Sequence, residues 1–205
     1  MIKWNCKYLY MQALRRLMLR TLIVFVISLR LGSTCNSAEY FPNATAFNLH
    51  HYSCMHELGN GTLMIASMAI SSTAERHYPI DVNRIVSLIM TMNNTGAEVR
   101  QLLLDIEVFA WERLDNGQCG WEKLPTFGFT DDLDGCEMIE CPLEEGFRKD
   151  FPMNVDIRDG ASFLDSGKLY QLKMVIKNGD RPKSVRLADY VPPLLGCAVI
   201  QAALL

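Results

Sequence analysis

The segment Asp134-Gly135-Cys136-Glu137-Met138-Ile139-Glu140-Cys141-Pro142-Leu143-Glu144-Glu145-Gly146 constrains this chain more than any other. Its two cysteines stand five positions apart, bracketed by Gly and Pro, and describe a small loop that a disulfide can close. Behind an export signal, such a loop staples two strands in register. It implies an oxidising compartment and a fold of short strands rather than a large helical core.

An export signal is readable at the other end. Lys3, Lys7, Arg15, Arg16 and Arg20 precede an apolar run at 22–29, which Arg30 closes. A membrane-spanning helix needs about 20 apolar residues, and this run is shorter. Small residues follow at Gly32, Ser33, Thr34, Cys35, Ser37 and Ala38. The pattern is that of a cleaved signal peptide over residues 1–35, cut at Asn36 or just beyond. A lead segment at 36–53 and one domain at 54–205 complete the expected organisation.

Cleavage changes the charge. The whole chain carries −3, but residues 1–35 hold six basic and no acidic side chains. The remainder has 14 basic against 23 acidic residues, or −9. That excludes nucleic acid as the expected partner, since phosphate binding needs clustered Lys and Arg. It also opposes docking on anionic lipid at neutral pH. The expected location is the secretory pathway, lysosomal or extracellular. Three sequons, at Asn43, Asn60 and Asn93, are candidate glycosylation sites on surface turns.

Beyond residue 35 five cysteines remain: Cys54, Cys119, Cys136, Cys141 and Cys197. Two disulfides and one leftover thiol form the simplest arrangement. Structural zinc is the rival, but Cys136-x4-Cys141 has no second Cys or His pair at ribbon spacing. No metal and no cofactor are expected.

Several segments alternate with period two. Phe151, Met153, Val155 and Ile157 form one apolar face; Tyr170, Leu172, Met174 and Ile176 another; Ala198, Ile200, Ala202 and Leu204 a third. The runs at 62–71 and 85–92 are further strand candidates. Residues 97–114 fit a helix through Val99, Leu102, Leu103 and Ile106, or a strand through Leu104, Ile106, Val108 and Ala110. Asn116-Gly117 just beyond is a hairpin signal and favours a strand at 101–113. The expected fold is all-β: an antiparallel two-sheet sandwich or β-cup of about seven to nine strands, a fold that can enclose an apolar cavity if its sheets splay apart.

At these residues the chain resembles the ML lipid-recognition family. Cys136 followed by Cys141-Pro142-Leu143 is similar to the paired-cysteine loop of its sterol-carrier branch. Cys141-Pro142-Leu143-Glu144-Glu145-Gly146 resembles the Cys-Pro-x-x-x-Gly of its ganglioside-activator branch, the closer in pattern. Trp121-Glu122-Lys123-Leu124-Pro125, Ser162–Tyr170 and Leu195-Gly196-Cys197 resemble activator segments too, and Pro79-Ile80 stands where the family has Pro-Ile. The chain departs at Phe163, where the activator has Trp, at residues 181–193, which read as an insertion, and at Cys119, which has no counterpart. The resemblance implies a bridge from Cys54 to Cys197, with Cys136 and Cys141 as the second bridge and Cys119 left over; Cys119 bonded to Cys141 is the alternative. It also implies an apolar cavity between the sheets and a non-enzymatic carrier of a glycolipid, phospholipid or sterol. Such a carrier would make transient membrane contact and present its cargo to an acceptor such as a lysosomal hydrolase. A secreted lipid-recognition module or sterol carrier acting in signalling, defence or sterol transport is the second reading.

No catalytic constellation stands beside this. His50, His51, His56 and His77 read as surface histidines, and Asp131, Asp132 and Asp134 lack the ligand spacing of a calcium loop. A phosphate loop and a nucleophile elbow are both missing from the sequence. Tail burial supplies the binding energy instead, at about 0.8 kcal/mol per methylene. The eleven methionines suit an adaptable lining. Candidate wall residues are Ile89, Ile106, Val108, Val155, Tyr170, Leu172, Met174 and Ile200. Phe163 and Leu164, in a Gly-flanked loop, are the expected lip at the cavity mouth and membrane.

Overall fold

The computed structural model describes Cys35 and residues 41–71, 78–156, 158 and 164–205, and the compact unit runs from Cys35 to Leu205. The signal segment, His77 and Phe163 lie outside the described residues. No described helix is long and apolar enough to cross a membrane, which says nothing of β-barrels.

Among the described residues, nine strands form two antiparallel sheets. They are β1 (His50–Ser53), β2 (Leu63–Ile70), β3 (Val86–Asn94), β4 (Leu102–Arg113), β5 (Cys119–Lys123), β6 (Leu133–Asp134), β7 (Gly146–Val155), β8 (Leu169–Asn178) and β9 (Leu194–Ala203). The larger sheet runs β1-β9-β8-β4-β5, with β6 also on β4; the smaller runs β2-β3-β7. One short helix, α1 (Met55–Leu58), follows β1. The strand reading of 101–113 holds: β4 pairs with β8 from Leu102 to Ala110. Its turn into β5 is the expected one, with Gly117 at φ 79° and its N–H donating to Leu114 O at 2.8 Å.

Alternation fixes what lies between the sheets. Leu102 and Leu104 of β4, Met174 and Ile176 of β8, and Ala198 and Ile200 of β9 are buried against Leu63, Ile65, Leu88, Met90, Met92 and Met153 of the smaller sheet. A second cluster at one end joins Val82, Ala110, Tyr170 and Leu204.

On β9 the expected face Ala198, Ile200, Ala202 and Leu204 is buried, and so is the opposite face. The reason is the lead segment, which is part of the domain rather than a separate stretch. β1 pairs with β9, His50 opposite Gln201. Asn43 Nδ2 donates to Gln201 Oε1 at 2.8 Å, and Gln201 Nε2 donates to Gln171 Oε1 at 2.7 Å. The Tyr78 hydroxyl donates to Thr45 O and accepts from Ala203 N. These bonds satisfy the polar groups that the lead segment buries.

Among the described residues, three disulfides are present. Cys54–Cys197 and Cys136–Cys141 are the expected pairs, with Cα atoms 5.1 and 5.5 Å apart. The third corrects the expectation for Cys119: it bonds Cys35, with Cα atoms 5.7 Å apart. Placing Cys35 inside a signal peptide removed this partner and made Cys119 look odd.

The sheets approach closely where Gly61 meets the start of β9. A Cβ on Gly61 would fall onto the Leu195 carbonyl, which is backbone and cannot step aside. Gly61→Ala is therefore expected to destabilise the protein by roughly 2–3 kcal/mol, as overpacking does. Urea denaturation checks it, with Gly59→Ala, where a Cβ meets nothing, as the comparison for backbone strain alone.

Candidate functional site

The inner face of the larger sheet carries three rows of paired residues: Ile106–Met174–Ala198, Val108–Leu172–Ile200 and Ala110–Tyr170–Ala202. Six of the eight expected wall residues stand in these rows. Met174 and Ile200 belong to the main cluster and Tyr170 to the second one. Ile106 packs against the first cluster and Val108 against the second, both half-buried. Leu172, also half-buried, lies between Val108 and Ile200. Ile106, Val108 and Leu172 thus form an incompletely covered apolar strip between two packed clusters.

The seventh, Val155, faces the interior from β7. The eighth is misplaced. On β3 the inward residues are Val86, Leu88, Met90, Met92 and Asn94, so Ile89 points to the outer face of the smaller sheet. Ser87, Thr91 and Asn93 at the odd positions carried that phase, but Ile89 stands among apolar neighbours and looked like core.

The main cluster, which Ile106 of the strip packs against, is rich in methionine, a feature that strand-by-strand reading missed. Met68, Met90, Met92 and Met153 face inward from the smaller sheet, and Met174 answers from the larger one. Unbranched thioether side chains adapt to irregular shapes better than Leu or Ile.

The loop between β5 and β6 borders the strip along β4. Leu124 N donates to Val108 O and Ile106 N to Thr130 O, both at 2.8 Å. Asp132 N donates to Asp105 Oδ1 at 2.9 Å, and Lys177 bridges Asp105 and Asp132 at 2.7 Å each. The stem is tied down at these points. At the tip, Phe127 and Phe129 flank Gly128 and are 84% and 82% exposed. Phe127 has φ 52° and Gly128 φ 81°, and Phe129 N donates to Thr126 O at 3.0 Å. The tight turn holds both rings in water. Pro125-Thr126-Phe127-Gly128-Phe129 carried this signal in the sequence.

Leu164, the described half of the expected lip, is half-buried against the second cluster rather than presented at a tip. Asp165 N donates to the Tyr170 hydroxyl at 2.7 Å and ties the loop down beside it. Burial pushes the Tyr170 phenol up.

A surface groove of about 650 Å³ is lined by Glu98, Arg100, Gln101, Asp180, Arg181 and Pro182, among others. Its charged groups answer one another: Arg100 Nε donates to Glu98 Oε1 at 2.9 Å, and Arg100 N to Asp180 Oδ2 at 2.7 Å. It offers an apolar tail little. Among the described residues, no three His, Cys, Asp or Glu side chains gather as a metal site. Of the sequons, Asn43 is hydrogen-bonded to Gln201, Asn60 is exposed, and Asn93 is half-buried on the outer face of β3.

No family model and no curated sequence matches the chain. Among solved structures it is similar to a Niemann-Pick type C2 protein from Japanese carpenter ant, at 12% identity and a TM-score of 0.40 over 76% of this chain and 99% of that one. It is also similar to the C-terminal domain of wzt, at 14% identity and a TM-score of 0.35 over 83% of each chain. At these scores neither neighbour supplies a function, and what can be concluded is the architecture seen directly: an all-β sandwich of two antiparallel sheets.

Proposed function

We propose that this protein is a non-enzymatic lipid carrier of the ML type, exported to an oxidising compartment, which holds an apolar tail between its two sheets. The observation that carries the reading is the half-buried strip Ile106–Val108–Leu172 on the inner face of the larger sheet, which adjoins a methionine-rich core at Ile106. A tail entering there exchanges water for apolar contact at about 25 cal/mol per Å² buried, with few polar groups needed. The tied loop bearing Phe127 and Phe129 is the membrane-touching element. Inserting both rings contributes on the order of 3 kcal/mol, enough for transient docking. Three disulfides support export. The signal cut then falls before Cys35, which is needed for its bond to Cys119. The cargo classes are glycolipid, phospholipid or sterol, delivered to an acceptor such as a lysosomal hydrolase.

Native mass spectrometry of the secreted protein, followed by solvent extraction, tests this. One lipid equivalent per chain is expected, with transfer of labelled lipid between vesicles and a slower rate for Phe127→Ser/Phe129→Ser at unchanged melting temperature. Failure to recover or transfer any of the three classes would sink the proposal.

The fold should tolerate the acidity of a lysosome. Lys173 bonds Glu57 at 2.6 Å and holds its carboxyl below the ordinary 4.5. Arg158 holds Asp156 at about 2 rather than 3.8. A lowered carboxyl contributes stability above its unfolded value and loses it as pH falls through the folded one. These contributions are intact at pH 5; that of Glu57 declines below 4.5 and that of Asp156 between 3.8 and about 2. The melting temperature is expected to be nearly flat from pH 7 to 5 and to fall in that acid window. Transfer from anionic vesicles is expected to rise toward pH 5, as the mature charge of −9 is reduced.

A further inference from the structure

On the outer face of the smaller sheet, one row runs across all three strands: Met64 of β2, Asn93 of β3 and Phe147 of β7. Residues directly opposite in antiparallel strands have Cβ atoms about 4.5–5.5 Å apart, so the Met64 and Phe147 side chains stand on either side of the Asn93 amide. Both are exposed, Met64 at 55% and Phe147 at 67%. The Asn93 side chain has no hydrogen-bond partner among the described residues, whereas neighbouring Asn94 bonds Ala97 O at 3.1 Å and Leu143 O at 3.4 Å. Asn93-Asn94-Thr95 is a sequon, and Thr95 is exposed.

We infer that Asn93 carries an N-linked glycan whose first sugar lies on Phe147 and Met64, so that the glycan is a structural cover for this sheet face. The inference rests on the export reading above. In the transfer, a lipid-diphosphate-linked oligosaccharide is the donor. Its anomeric carbon leaves the diphosphate oxygen and bonds Asn93 Nδ2, which gives up one proton; nothing is oxidised or reduced. The reaction meets the chain before it folds, so the folded structure decides which products are accommodated. At Asn93 the amide points outward and is free. The C–H faces of a sugar are apolar, and an aromatic ring with an aliphatic neighbour is a surface that they cover well. At Asn43, by contrast, Nδ2 is held by Gln201, which is itself buried, and a glycan would compete for that nitrogen. Asn60 is exposed and lies outside the strands, in no cross-strand row, so a glycan there is expected to have no structural role.

The full chain, secreted from eukaryotic cells, is compared with Asn93→Gln, Asn60→Gln and Phe147→Ser by glycopeptide mapping and thermal melting. Asn93 is expected to be occupied. Asn93→Gln should lower the melting temperature by about 3 °C in the wild-type background and leave it unchanged in Phe147→Ser. Asn60→Gln should shift neither. An unmodified Asn93 beside a modified Asn60 would overturn the site while leaving export standing. A chain retained in the cell with free thiols and no glycan anywhere would overturn the export reading and this inference with it. An equal shift from Asn93→Gln in both backgrounds would overturn the contact with Phe147.

Discussion

Replacing Cys54 and Cys197 together by Ser is expected to cost roughly 3–5 kcal/mol, the largest loss among the three bridges. The bond closes a loop with a sequence separation of 143, against 84 for Cys35–Cys119 and 5 for Cys136–Cys141. In the chain-entropy model these closures are worth about 5, 4.6 and 2 kcal/mol. Packing adds to the difference. Cys54 and Cys197 are buried with Val199, and Tyr52, Met55 and Val175 pack around them. Cys54 N also donates to Cys197 O at 3.2 Å. Opening the bond releases β1 and α1 from the buried strand β9. Urea denaturation of the three double serine variants checks the ranking. Equal losses for the longest and shortest loops would refute it.

Leu172→Asp is expected to lower lipid affinity by at least 100-fold while the unliganded protein loses only about 1–2 kcal/mol of stability. The asymmetry comes from solvent. Leu172 is half-buried, so a carboxylate there keeps part of its hydration when no lipid is bound. A tail laid over it would remove that water, and the effective penalty for burying an ion is several kcal/mol. A penalty of about 2.7 kcal/mol already corresponds to 100-fold. Acidification should restore part of the affinity as the carboxyl protonates. Ile85→Asp, at an exposed position, serves as the control. Equal binding by wild type and Leu172→Asp would place the tail elsewhere.

The sandwich was legible because polar residues punctuate its strands. Lys173 and Gln171 on β8, and Asp105 and Glu107 on β4, mark one face as outer and leave the other to be core. Where punctuation fails, so does the phase. Ile89 has apolar residues on both sides, and only Ser87, Thr91 and Asn93, taken together, show that it points outward. The near-continuous apolar β9 had no readable outer face, because what covers it arrives from more than a hundred residues away. Cys119 was misjudged for a related reason: its partner sits at the edge of a segment whose composition suits export. The candidate site was half legible. Local alternation placed Ile106, Val108 and Leu172 on one inner face, but how far they are covered depends on the packing of loops.

The pairing of β1 with β9 also governs when the molecule can be finished. A ribosome delivers His50–Ser53 well before residues 198–201, with which it pairs and which lie about 150 positions further along. Until then the nascent chain exposes an unpaired strand and a reactive thiol at Cys54, with Cys119, Cys136 and Cys141 all emerging before Cys197. Every earlier thiol is a wrong partner for Cys54 except through exchange. Closing the larger sheet at β1 therefore waits for β9, and any bond that Cys54 makes before then must be exchanged before the sheet is complete.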